Sequence, residues 1–215
     1  MPFPRGRAVD RLPCRPYAPP VSALPDIHAD FLTLERHVES LPEGVNAEVA
    51  RGIFLMTPRP RVRHGRTLAE LVGWLRDGPS RTAGPDGNPE WLFVPEPEIR
   101  SEAAFSRLIP DVAGWRRSTT GWPGEDESLI ERMPDWVAEV ISPGSESADR
   151  GVKKTAYGLM GIGWLWIVDP EERLVETFVN VRGQMLPGPV ARSGETLLAP
   201  PFEEFPLEVA SLFLS

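Results

Sequence analysis

Glu139, Asp149, Lys153 and Tyr157 fall within one stretch, 135–169, and their side chains are of the kinds that bind cations and stabilise developing charge. Glu139 is the single acid in the apolar run 136–141. A carboxylate inside a buried strand is costly unless a cation or a donor meets it. Asp149, Lys153 and Tyr157 follow at steps of four, which puts them on one face of a helix. Lys154 is a step of about 100° further round and is expected to be solvated. Asp111 lies likewise in an apolar segment, 109–115. Two carboxylates on adjacent strands can hold one Mg2+ (or Mn2+), an ion that takes few carboxylates and keeps waters and substrate phosphates around it. Such an ion makes water more nucleophilic and neutralises charge on a phosphoryl group. A lysine close by adds electrostatic stabilisation. The residue two steps after Glu139 on the same strand face is Ile141, so the cation has to come from the following helix, as Lys153.

The elements that must position these groups are legible in outline. The segment 136–141 reads as a strand, 142–145 as a turn and helix entrance, and Gly161 and Gly163 as the helix end before a second buried strand, 164–168. Upstream, 30–40 has helical spacing. The segment 46–56 reads as one strand carrying Glu48, with Gly52 as a bulge. Thr57-Pro58-Arg59-Pro60 breaks it, and a helix over 63–76 follows. Arg59, Arg61, Arg63, His64 and Arg66 crowd that helix entrance, against the preference of the helix dipole, and suggest that an anion is met there. Further strands are expected at 91–94, 109–115 and 195–199, a hairpin at 174–186 around 180–183, and a strand or helix at 205–214. Strands mixed with helices in this order indicate an α/β or α+β domain.

Each residue also has a purely structural reading. Asp111 after Pro110 suits a turn or cap. Glu139 suits a partly exposed edge strand. Asp149 and Lys153 suit an i,i+4 surface pair worth a few tenths of a kcal/mol. Tyr157 suits a packing role with a polar tip, His64 a structural one, and the basic cluster a solvated edge. The seven tryptophans are core candidates before they are stacking platforms.

Taken together, the segments 109–115 (Ile-Pro-Asp-Val-Ala-Gly-Trp), 134–143 (Pro-Asp-Trp-Val-Ala-Glu-Val-Ile-Ser-Pro), 149–153 leading to Tyr157, and 161–170 resemble the Uma family of restriction endonuclease-like proteins, within the PD-(D/E)XK nuclease superfamily. The resemblance extends to Glu48, Gly52 and His64 and covers about residues 40–180. It implies a restriction endonuclease-like mixed central sheet flanked by helices, and a Mg2+-dependent phosphodiesterase site. Asp111 and Glu139 would be the metal-binding acids, Lys153 the catalytic lysine displaced from position 141 to the following helix, and Glu48 an accessory acid. His64, Arg63 and Tyr157 are the candidate substrate contacts. DNA is the expected partner.

Composition bounds these readings. Hydrophobic residues are 41% and charged residues 25% of 215, an ordinary globular balance. A net charge of −8 argues against coating nucleic acid by bulk electrostatics but leaves room for a locally basic cleft. Cys14 is the only cysteine, which excludes an intrachain disulfide and a cysteine zinc cage. No apolar run approaches the roughly 18 residues of a spanning helix, and no apolar segment follows the basic N-terminal residues, so a cytoplasmic location is expected. Residues 1–25, with seven prolines and four arginines, read as an extended or disordered lead-in to a single domain over 26–215. The first functional expectation is a metal-dependent DNA endonuclease. The second is a catalytically weak or inactive nuclease-fold binding or regulatory protein, with a homodimer as its candidate assembly. The third is a metal hydrolase of small phosphoesters.

Overall fold

The computed structural model describes residues 27–42, 47–56 and 61–213; the 1–25 lead-in and the 57–60 break lie outside them. Two sheets organise the chain. The smaller has the order β2–β1–β5–β4, built from β1 (Ala47–Ala50), β2 (Ile53–Met56), β4 (Ile99–Ser101) and β5 (Ser106–Leu108), all antiparallel. The larger has the order β10–β9–β8–β7–β6–β3. Its strands are β3 (Trp91–Pro95), β6 (Val112–Arg116), β7 (Trp136–Val140), β8 (Trp164–Asp169), β9 (Leu174–Val181) and β10 (Gln184–Arg192). Only β7 and β8 pair in parallel, so the sheet is mixed, and the connection between them must cross over. That crossover is a turn of π-helix, Ala148–Lys153, running into α3 (Lys154–Leu159). A small β11–β12 pair (Thr196–Leu197, Leu207–Glu208) closes the chain, followed by a short 3-10 turn, Val209–Leu212.

Period-2 alternation decides what each strand of the larger sheet faces. Trp136, Ala138 and Val140 of β7 join Trp166 and Val168 of β8 in one core, beneath α2 (Val62–Asp77) and the C-terminal segment. Val137 and Ile141 join Leu165 and Ile167 in the other core, beneath α3 and the smaller sheet. The first core is aromatic. Phe202 stands with its ring centroid 5.1–5.8 Å from those of Trp74, Trp91, Phe93, Trp136 and Trp166. Four of the seven tryptophans are buried and Trp74, Trp122 and Trp164 are half-buried, so they form core rather than stacking platforms.

Two connections position the functional face. The chain leaves the smaller sheet at β5 and enters the larger one at β6 through Ile109-Pro110-Asp111. On the far side, α3 is clamped to the β9–β10 turn: Asn180 Nδ2 donates to the carbonyls of Gly158 (2.8 Å) and Ile162 (2.9 Å). A Cβ on Gly158 would lie 2.6 Å from the Gly183 carbonyl, so the approach of helix to hairpin depends on that glycine. The helix α1 (Ile27–Glu39) covers the smaller sheet, with Glu35 accepting from Arg100 at 2.7 and 2.9 Å.

The single strand expected over 46–56 is instead a hairpin. Arg51 and Gly52 both have positive φ (53° and 73°), the signature of a two-residue I′ turn, and Ala50 pairs with Ile53 across it. Gly52 is a turn residue rather than a bulge. The strand expected at 195–199 shrinks to Thr196–Leu197, and the 205–214 segment divides between β12 and the 3-10 turn.

Because Phe202 touches five aromatic rings around it, Phe202→Ala is expected to cost about 3–5 kcal/mol of folding stability by urea denaturation. Gly158→Ala is expected to cost about 1–3 kcal/mol by overpacking against the hairpin.

Candidate active site

The sequence-predicted acids come from three different elements and share one cavity. Glu48 is the second residue of β1, an inner strand of the smaller sheet, and its side chain is buried. Asp111 stands one step before the Val112–Ala138 pair that begins β6, which sets it opposite Glu139 on β7. Glu139 points to the same face as Val137 and Ile141, beneath the crossover helix. Glu48, His64, Asp111, Glu139, Asp149 and Lys153 all line a cavity of about 220 Å3.

Lys153 ties the elements together. Its Nζ lies 2.7 Å from Glu139 Oε1, 3.1 and 3.2 Å from the two Glu48 oxygens, and 3.6 Å from Asp149 Oδ1. Lys153 is 4% exposed, so this ammonium has been taken out of water and depends on those carboxylates. The π-turn presents it: the Lys154 N–H reaches back to the Asp149 carbonyl, five residues earlier. Ile141, where a strand lysine would stand, is instead packed in the core.

The acids also hold backbone. Glu48 Oε1 accepts from the Ile109 amide at 2.8 Å, and Asp111 Oδ2 accepts from the Val140 amide at 2.6 Å. The inter-sheet link 109–111 is therefore fixed at both ends by carboxylates of the site. Asp111 Oδ1 faces His64 Nε2 at 3.0 Å, while His64 Nδ1 has no partner among the described residues. Ser145 Oγ donates to Asp149 Oδ2 at 2.6 Å and accepts from the Ser142 amide at 3.1 Å. In the sequence Asp149 is legible only as a neighbour of Lys153 on the helix face, and Ser145 only as part of the helix entrance.

Two candidates lie elsewhere. Tyr157 has no exposed surface and cannot touch a substrate; its hydroxyl donates to Glu139 Oε1, fixing that carboxylate from behind. Arg63 is exposed outside the acid cavity and lines a neighbouring groove of about 720 Å3. His64 lines both spaces and forms the partition between them.

Four carboxylates face one lysine and one histidine here, and burial and these neighbours together shift their protonation. Burial pushes the Glu139 carboxyl well above the usual range and the charges of Asp149, Asp111 and Glu48 add to it, against the opposing pull of Lys153. Burial likewise raises Asp149. Burial alone would discharge Lys153, but Glu139, Glu48 and Asp149 overcome it and hold the ammonium charged. Burial opposes protonation of His64 too, yet the hydrogen bond and charge of Asp111 leave it raised above its ordinary value. Burial keeps the Tyr157 phenol protonated and a donor.

Among the described residues, no set of three or more His, Cys, Asp or Glu side chains is arranged to hold a metal ion. A magnesium ion asks for less: one or two hard carboxylate oxygens, with waters and phosphates filling the remainder. Asp111 and Glu139 are such donors on one cavity wall, and the excess of negative charge around them suits a cation. The residues present fit that ion.

A mixed sheet whose parallel pair is bridged by a helix, with acids and a lysine gathered at one end, defines a restriction endonuclease-like α+β protein. The sequence matches the Uma2 family, described as "Putative restriction endonuclease", over residues 28–210, and the chain belongs to that family. A crystal structure described as a "putative nuclease belonging to DUF820" from Anabaena variabilis is similar in fold, with a TM-score of 0.67 and 19% identity over 84% of this chain and 96% of that one. No curated protein matches the chain. No helix among the described residues is long and apolar enough to cross a membrane.

Lys153→Met leaves buried carboxylates facing one another and is expected to cost on the order of 3 kcal/mol by urea denaturation. The Glu139 shift sets a second expectation. A carboxyl whose folded pKa is raised favours the native state below its unfolded pKa, and loses that contribution as pH rises. With divalent ions chelated, Glu139→Gln should therefore gain stability relative to the wild type as pH climbs above the ordinary carboxylate range. Parallel melting curves for the two proteins across pH would contradict this.

Proposed function

We propose that this protein is a metal-dependent DNA endonuclease that hydrolyses phosphodiester bonds. The observation that carries the reading is the contact of Lys153 with both Glu48 and Glu139, acids from separate sheets, in a cavity shared with Asp111. Asp111 and Glu139 would hold the ion. When bound there, a Mg2+ or Mn2+ ion supplies charge neutralisation at a phosphoryl group and acidifies water.

The roles of the chain's own residues follow from their surroundings. His64 donates from Nε2 to Asp111 Oδ1 and so fixes one carboxylate, while the Val140 amide fixes its other oxygen. Tyr157 fixes Glu139 from the core side. Lys153 brings a charged donor to the cavity wall, where charge developing on a phosphate in transit would meet it without reorganisation. Glu48 holds that lysine in place and anchors the inter-sheet link, which makes it a positioning acid. Ser145 and Asp149 brace the turn that carries the lysine.

One observation favours the second reading, a nuclease fold kept for binding alone: Lys153 and Glu139 are only 4% and 3% exposed and already satisfy each other. The two readings part on cleavage. With Mg2+ or Mn2+, the wild type is expected to nick supercoiled plasmid, and Asp111→Asn, Glu139→Gln and Lys153→Met each to lose at least about a hundredfold in rate. Either ion should also raise the melting temperature of the wild type, but not of Glu139→Gln, because a ligand stabilises only the state that binds it. Nicking unaffected by Glu139→Gln, or a wild type that neither cuts nor shifts with either ion, overturns the endonuclease reading.

A further inference from the structure

Outside the acid cavity, three arginines without a carboxylate partner among the described residues stand together at the start of α2. Lysines are scarce: of 23 basic residues only Lys153 and Lys154 are lysine, and the rest are arginine. Many of those arginines are committed. Arg100 pairs with Glu35 and Glu131, Arg107 with Glu39 and Glu98, and Arg150 with Asp169 and Glu176. Arg61, Arg63 and Arg66 are exposed and carry no carboxylate partner among the described residues.

Their placement is directional. Arg63 and Arg66 are three apart on α2, so they project from one face of its first turns. Arg61 precedes the helix in extended conformation, its side chain caps nothing, and the first turn holds no acid. The positive end of the helix dipole is thus left uncompensated beside three guanidinium groups. Two spaces of about 720 and 400 Å3 run past this end and share Val62, Arg63, Pro170 and Glu171, so they form one groove between α2 and the β8–β9 turn. Its inner wall is His64, which also lines the acid cavity. The opposite wall carries Glu171 and Glu172, and the groove is also lined by Glu146, by Arg173 and by Asp169 paired with Arg150, so its cationic side is the α2 wall.

We propose that this groove is the track for the phosphodiester backbone flanking the cleaved bond, gripped by Arg61, Arg63 and Arg66 on the α2 wall. The inference rests on the endonuclease reading for the identity of the strand. Arginine suits the task because its planar fork bonds phosphate oxygens in pairs. The track also answers the net charge of −8: the bulk of the surface repels DNA, and a local cationic wall beside the site determines where a strand settles.

The test is binding of a fluorescein-labelled DNA duplex by anisotropy over a salt series, with Ca2+ present so that the strand stays intact. The variants are the triple Arg61→Ala/Arg63→Ala/Arg66→Ala and the opposite-wall double Glu171→Gln/Glu172→Gln. The triple variant is expected to keep the wild-type melting temperature, since all three side chains are exposed. Its affinity should fall at least about tenfold, and its slope of log K against log salt should flatten by about three, one for each phosphate that an arginine no longer neutralises. The double variant is expected to bind as tightly as the wild type or more tightly. Unchanged affinity and slope in the triple variant, or a wild type without affinity for DNA, overturns the track. Cleavage is read separately: a wild type that binds through these arginines yet never nicks DNA leaves the track standing and removes the endonuclease reading. A triple variant that binds and cuts like the wild type does the reverse.

Discussion

A single ammonium group withdrawn from water constrains this structure more than any other interaction. Lys153 Nζ sits among Glu48, Glu139 and Asp149, and those carboxylates belong to β1, β7 and the crossover turn. An isolated charge buried so deeply would discharge, and an isolated carboxylate would protonate. Neither sheet nor the crossover can move away without leaving one of them alone. Glu48 and Asp111 also accept the amides of Ile109 and Val140, so the passage between the sheets depends on the groups that would do chemistry.

The way the lysine arrives explains two local irregularities. Ile141 occupies the position on β7 from which a strand residue would enter the cavity, and it is packed in the core beneath the crossover. The cation must then come from above, and the crossover opens into a π-turn where Lys153 enters. That turn would be loose without support. Ser145 ties Asp149 to the loop after β7, and Asn180 clamps α3 at Gly158 and the segment that follows it at Ile162. The hairpin β9–β10 does not line the acid cavity, yet it holds the helix that continues from the turn carrying Lys153.

What a sequence can tell about such a site depends on whether the signal is local. The lone acid in an apolar run marks Glu139, the i+4 spacing places Lys153 with Asp149, and both pairings are present. The helix over 63–76 and the hairpin around 180–183 have ordinary periodicity and turn chemistry, and they appear as α2 and β9–β10. The β1–β2 turn is hidden because arginine is an unusual first residue for an I′ turn; Arg51 adopts positive φ where Asn or Gly is the common choice. Spacing puts Tyr157 on the helix face of Lys153 but does not give the depth of that face; the packing role with a polar tip is the reading its burial matches, and the substrate contact is not. Whether a helix face meets solvent or a sheet is decided by tertiary packing, and no spacing within the helix encodes it. The pairing of Asp111 with His64, far earlier in the chain, is out of reach for the same reason.

Strand alternation finally accounts for how so unfavourable a cluster is tolerated. On β7, Trp136, Ala138 and Val140 face the aromatic core around Phe202, while Val137, Glu139 and Ile141 face the crossover. Each residue of the strand is committed to one role by parity alone. The face that carries Glu139 brings together acids that repel one another, and burial, with their charges adding to it, pushes the Glu139 carboxyl up. The other face packs four tryptophan rings and two phenylalanine rings within about 6 Å of their neighbours. Burial on the aromatic side offsets repulsion on the acidic side through the same short length of backbone. A charge imbalance of this kind can persist in a folded protein because the strand that bears it is held from behind.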